Sequence, residues 1–210
     1  MKKIYIECCI ESYKEAVSAE KKGADQIEVC SDLCYDGLTP NFQLVEKIKD
    51  NLSIPIKVMV RPRRGDFCYS NSDMKKIQSQ ISVFKSIGIK HIACGVLNKK
   101  SMVDIDTFKK ISDWSYPMKI TFHKAIDESV DFFNDIEALF QTGRLDSLLT
   151  SGQSKSAEKG AKTIKKAVNK FDDNIKIISA GKIISSNLYD IHRKIGGRYY
   201  HGRKILGNLI

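Results

Sequence analysis

The sequence predicts a (β/α)8 barrel in a single domain over residues 1–210. Eight short β-branched runs alternate with seven amphipathic stretches, and no long linker or low-complexity segment interrupts them. The main competitor, a doubly wound sheet, usually carries a glycine-rich phosphate loop after its first strand. Here that segment reads CCIESYKEA and contains no glycine.

The expected strands cover 4–9, 25–30, 56–61, 90–95, 118–123, 145–150, 175–180 and 198–201. The expected helices cover 11–22, 41–51, 72–87, 104–113, 131–141, 155–171 and 185–195. Ser12, Asn41, Ser72 and Asp131 stand at N-cap positions, where a side-chain oxygen can accept a free backbone N–H. Gly23, Gly88, Gly143 and Gly196 stand where helices end before a new strand. After the last strand only RKILGNLI is left, so an eighth helix is expected to be missing or cut short.

Composition narrows the function. No run approaches the roughly 18 apolar residues of a membrane helix. The N-terminal MKKIYIECCI has lysines like a signal peptide, but Glu7 breaks its apolar stretch and no small-residue cleavage site follows. A cytoplasmic protein that contacts no membrane is expected, with its six cysteines as thiols. The net charge of +10 comes from 28 lysines against 7 arginines, spread along helices such as AKTIKKAVNK. Those are solvated helix faces, and no nucleic-acid signature accompanies them.

Strand alternation sorts the polar residues. Ile4, Ile6 and Cys8 share one face of the first strand, while Tyr5, Glu7 and Cys9 share the other. The same reading places Glu28, Cys30, Arg61, Thr121 and His123 on inward faces near the strands' C-terminal ends, where barrel enzymes keep their chemistry. Buried charge is costly unless paired, so the set implies either an internal network or a ligand. VMVRPRRGDFCYS then reads as a strand running into a polar exit loop that brings Arg61, and Arg63 with it, to the barrel mouth. Structural alternatives stand beside this. Glu7 with Arg61 would make an ion pair closing the barrel top, and His123 alone would be a hydrogen-bonded core histidine. Cys8 and Cys94 read as small buried hydrophobes. Lys57, Lys119 and Lys176 read as barrel-floor residues.

With those residues assembled, the sequence resembles the CutC family. The carrying motifs are IECCIES, GADQIEVCSDL, GLTPN, VMVRPRRGDFCYS, ITFHKAID and LLTSGQ, in that order. The resemblance independently implies a TIM barrel. It also implies a cytosolic copper-binding protein of a family with no agreed reaction. It puts the family's two copper-ligand positions on Cys9 and Cys30, and two thiolates suit soft, two-coordinate Cu(I). Its motifs add Asp66, Ser151, Gly181 and His201 to the candidate substrate-binding residues. The chain departs from the family in SAGK, where a PGGG-type turn is the pattern and Gly181 alone survives.

Two functions follow. One is copper homeostasis, with Cu(I) held by Cys9 and Cys30. The other is an enzyme acting on a small anionic metabolite. There Glu7 or Glu28 is the general base, His123 a general acid or base, Arg61 a carboxylate or phosphate clamp, and Thr121 a further contact. No organic cofactor is indicated. A homo-oligomer, a dimer first, is expected to pair through helices, because a closed barrel leaves no strand edge.

Overall fold

The computed structural model describes residues 3–210. Eight parallel strands close into one barrel in sequence order: β1 (Tyr5–Ile10), β2 (Gln26–Val29), β3 (Ile56–Met59), β4 (His91–Cys94), β5 (Lys119–Phe122), β6 (Ser147–Thr150), β7 (Lys176–Ser179) and β8 (Tyr199–His201). Seven helices connect them: α1 (Tyr13–Lys21), α2 (Phe42–Asn51), α3 (Asn71–Ser86), α4 (Ile105–Ser115), α5 (Phe132–Gln141), α6 (Ala161–Phe171) and α7 (Leu188–Ile195). The expected fold and the order of every element stand. Residues 202–210 form turns and no helix. No described helix is long and apolar enough to cross a membrane.

Local chemistry sets the helix starts. Ser12 accepts from the Glu15 N–H, Asn41 from Gln43, and Asp104 from Thr107. At α3 the cap is Ser70, two residues before the expected Ser72. Asp73 stands three residues after Ser70 and returns a bond to the Ser70 N–H, closing a capping box that a cap at Ser72 would forgo. Asp131 precedes α5 but makes no side-chain cap bond. Gly196 ends α7 with φ of +77°, a backbone state a side chain would strain.

The hydrophobic core is the outer layer between sheet and helices. Cys8, Ile27, Val58, Ile92, Phe122, Leu148 and Ile177 meet helix residues such as Ile48, Ile81 and Phe108. Cys8 and Cys94 lie in this layer, packed as small hydrophobes. Inside the barrel, two small apolar groups remain among the described residues, Cys30–Met59–Ala93 and Leu149–Ile178–Ala180. The space between them is polar. A barrel interior is more often filled by branched aliphatic layers.

The sixth expected helix, 155–171, is the one most shortened. Residues 155–160 belong to a loop, and α6 starts at Ala161. The loop doubles back so tightly that Gly160 lies against the Ser151 carbonyl, where an added Cβ would sit 1.9 Å from that oxygen. The Ala157 N–H donates to the Gly181 carbonyl at 2.8 Å, tying this loop to the exit of β7. The spacing in LTSGQSKSAEKG is therefore a packing requirement. Gly160→Ala should destabilise the fold by about 3 kcal/mol, the upper end of an overpacking penalty, because the obstacle is backbone. A urea midpoint equal to wild type would refute this packing account.

Candidate functional site

Along the barrel axis runs a chain of buried charge. Lys57, fully buried, places Nζ 2.7 Å from Glu7 Oε2. The other Glu7 oxygen accepts from His201 Nδ1–H at 2.8 Å. The far nitrogen of that ring, Nε2, lies 3.8 Å from Glu28 Oε2, too long for a hydrogen bond. Cys30 Sγ lies 3.7 Å from the same Glu28 oxygen. Glu28 Oε1 is buried without a partner among the described residues.

The register explains why these groups meet. Glu7 pairs with His201 across β1 and β8, and Glu28 with Lys57 across β2 and β3. Lys57 lines the lower end of the barrel with Lys119 and Lys176, as expected, and it also reaches inward. Its long stem carries the ammonium up the axis to Glu7. The expected Glu7–Arg61 pair is overturned by the same contact.

Electrostatics separates the two glutamates. Burial alone would raise the Glu7 carboxyl, but the Lys57 ammonium, then His201, holds it well below the usual carboxylate range. Glu28 goes the other way, raised by burial and by the Glu7 charge against the pull of His201. Burial opposes the His201 cation, yet neighbouring Cys9, Glu28 and the Glu7 bond raise it well above an ordinary imidazole. The surroundings thus favour the charged forms of Glu7 and His201 and disfavour charge on Glu28.

Glu28 and His201 face a cavity of about 520 Å3 at the C-terminal mouth of the barrel, with Cys9, Cys30, Arg61 and His123 also in its lining. Ser151 and Gly181 line it too. Glu7 and Thr121 do not. Glu7 lies deeper, and Thr121 is held within the barrel by His91 Nε2 at 2.9 Å and Ser147 Oγ at 2.7 Å. Both corrections have one cause: alternation puts a side chain inside the barrel but does not say how far up the axis it sits.

His123 is a neutral mouth histidine. Its Nδ1 accepts from the Ala125 N–H at 3.2 Å, which puts the ring proton on Nε2, a buried atom with no protein partner. Burial, and then the Arg61 charge, lowers its pKa to about 3. Gly95 is what admits the ring, since a Cβ there would lie 2.5 Å from Nδ1.

Arg61 is less free than expected. Its guanidinium donates to the carbonyls of Tyr35, Gly37 and Gly65 at 3.0, 3.4 and 2.9 Å and lies over the Phe67 ring. It staples two βα loops, and only its Nε lacks a partner. Arg63 and Asp66 leave the mouth altogether. They pair with each other at 2.8 Å, and Arg63 also holds Asp73, so their work is to fix the start of α3. Ser151 is committed to Asp127, whose carboxylate accepts from the Ser151 N–H and Oγ, the Gln153 N–H and Thr150 Oγ1. ITFHKAID and LLTSGQ are thus two halves of one internal anchor. Asp127 was missed as a partner of that turn because its position, 24 residues from Ser151, carries no periodic signal.

Of the two candidate copper thiols, Cys9 lies on β1 and Cys30 directly follows the neighbouring β2. Cys9 is in register with Glu28, which sets Cys30 two residues nearer the mouth. Burial, then Glu28, drives the Cys30 thiol well above its ordinary pKa, so it is held protonated. Glu7, Glu28 and His201 also offer ligand atoms within 4.8 Å of one another. A cation, the Lys57 ammonium, already stands against Glu7 there.

Two outcomes test this electrostatic layout. Lys57→Met should cost about 3–5 kcal/mol, since it strips the ammonium from a buried carboxylate and leaves one of its oxygens uncompensated. Adding Glu7→Gln should return much of that loss, and strictly additive losses in urea denaturation would contradict the pairing. Buried neutral histidines give the second. His91 and His123 both have pKa values lowered to about 3, His91 by burial and then Lys57. Unfolded, each takes up a proton near its ordinary value of 6.5. Stability is therefore lost as pH falls from 6.5 towards 3, each group adding a slope of up to about 1.4 kcal/mol per pH unit. His91→Gln should flatten the slope by one proton, and an unchanged slope would mean that His91 is not held neutral.

Comparison with known proteins agrees with this architecture. A CutC family profile matches residues 4–206. A human protein named copper homeostasis protein cutC homolog is 33% identical over 196 residues, covering 93% of this chain and 71% of the relative. A CutC family protein of Mesorhizobium japonicum is 31% identical, covering 91% and 74%. The crystal structure of a Streptococcus agalactiae CutC superposes with a TM-score of 0.91 at 23% identity, over 96% of this chain and 99% of that one. A phosphoribosyl anthranilate isomerase from Thermococcus kodakaraensis, at 14% identity and a TM-score of 0.60 over 95% and 87%, shares the barrel fold. From its match along nearly the whole sequence, the chain belongs to the CutC family.

Proposed function

We propose that this protein is an enzyme that moves a proton on a small anionic metabolite bound in the barrel mouth. One observation carries the reading: Glu28, a buried carboxyl with an unpartnered oxygen and a raised pKa, stands 3.8 Å from a histidine held as a cation. Acid–base catalysis needs such a pair, one group tuned towards neutrality and one donor fixed beside it. In this reading Glu28 takes or returns the proton. His201 Nε2–H stabilises negative charge developing on the substrate, and the Nε2–H of His123 is a second donor. Lys124, Lys155 and Lys182 at the mouth supply attraction for an anion, the clamp role expected of Arg61.

The test uses small carboxylate and phosphate metabolites incubated with the protein in deuterated water, with carbon-bound deuterium followed by NMR. Wild type should exchange a proton of at least one. Glu28→Gln should slow that exchange by about 100-fold or more. Exchange at wild-type rate in both Glu28→Gln and His201→Asn, or no exchange on any compound, would overturn the reading.

A second reading is favoured by the two mouth thiols and by the names of the relatives: a cytoplasmic copper-handling protein with Cu(I) as cargo on Cys9 and Cys30. Binding would have to displace the Cys30 proton, so it would release acid. An anaerobic Cu(I) titration against a competing chelator decides it. Tight one-to-one binding should disappear in the Cys9→Ser/Cys30→Ser variant; equal affinity in variant and wild type would remove the thiol pair from consideration.

A further inference from the structure

The opposite end of the barrel holds a second cavity, of about 590 Å3, and all eight strands contribute residues to its lining. Its chemistry differs from the mouth. Five lysines, at positions 49, 57, 90, 119 and 176, line it together with only two carboxylates, Glu7 and Asp146. Both carboxylates are already neutralised. Glu7 is held by Lys57 and His201. Asp146 has Lys176 at 3.2 Å, with Lys119 at 3.7 Å and His91 at 3.9 Å. Among the described residues Lys90 pairs with no carboxylate, and Lys119 is 62% exposed beside an Asp146 that Lys176 already serves. The cavity thus keeps unspent positive charge. Its walls are apolar, formed by Leu52, Ile54, Pro55, Ile89, Pro117 and Ile178.

A structural floor explains the Asp146 cluster. It does not explain an open space of ligand size with surplus cations and greasy walls. A concave, mostly apolar cavity with a few convergent charged groups is the usual form of a small-molecule site. Low-dielectric walls focus the field of like charges into such a cleft. We propose that this lower cavity is a second ligand site, taking a small amphipathic anion: a carboxylate, phosphate or sulfonate head held by the lysines, with an aromatic or aliphatic body against the apolar wall. The site goes beyond the mouth chemistry and does not rest on it.

The probe is 8-anilinonaphthalene-1-sulfonate, an aryl sulfonate with both features. It is titrated by fluorescence into the folded wild-type protein, a lower-cavity variant (Lys90→Glu/Lys119→Glu) and a mouth variant (Lys155→Glu/Lys182→Glu). All four lysines are exposed, so both variants should fold. One dye should bind per chain. Its affinity should fall at least tenfold in the lower-cavity variant and stay within about twofold in the mouth variant. Dye-induced shifts of the Ile54, Ile56 and Ile89 methyl signals, with Ile126 and Ile183 unmoved, should locate it. Unchanged affinity in Lys90→Glu/Lys119→Glu, loss confined to the mouth variant, or no saturable binding would each overturn the proposal.

Discussion

The Lys57–Glu7–His201 contact is the constraint around which the barrel interior is arranged. Three ionisable side chains from β3, β1 and β8 meet where a barrel more often packs aliphatic layers. Desolvating them costs several kcal/mol per ion, so the arrangement persists only while every partner is present. Its consequence is a fixed pattern of charge. Glu7 has a basic partner at each carboxylate oxygen, and its bond to Nδ1 orients His201, with Nε2 turned towards Glu28. The folding problem and the chemistry of the mouth share this one contact.

The same contact divides the interior in two. Lys57 and Glu7 belong to the lower cavity, and His201 and Glu28 to the mouth. Each end keeps its own character. The mouth combines thiols, a titratable carboxyl and two histidines of opposite charge state. The lower end combines surplus ammonium groups with apolar walls. A barrel of 210 residues has little hydrophobic area to give up inside. The outer sheet–helix layer supplies the apolar burial that offsets this polar axis.

The βα loops at the mouth are held by internal anions and cations that a reader of motifs would assign to ligands. Asp127 fills the turn after β6 with four hydrogen bonds, and Arg61 is taken up by three carbonyls. Both make the mouth rigid. In this chain the charged motif residues Arg61 and Asp127 hold the frame, and Glu28, His201 and His123 are left lining the cavity. Rigid framing of this kind is what a catalytic or metal-binding mouth needs to keep distances within tenths of an ångström.

The sequence by itself determined the barrel, its element order, the inward faces of the first, second, third and fifth strands, and the family. Those rest on local signals: alternation in DQIEVC and MKITFH, caps at Ser12 and Asn41, and glycine at helix ends. It also named Glu28, His123, Cys9, Cys30 and His201, because alternation or motif position marks each one. Only the tertiary structure decided which charges meet. Whether Glu7 faces Arg61 or Lys57 depends on how eight strands are staggered around the barrel. That stagger is set by closure of the whole sheet. No window of sequence contains both β1 and β8, so the bond from His201 to Glu7, 194 residues apart, could not be read before the barrel closed.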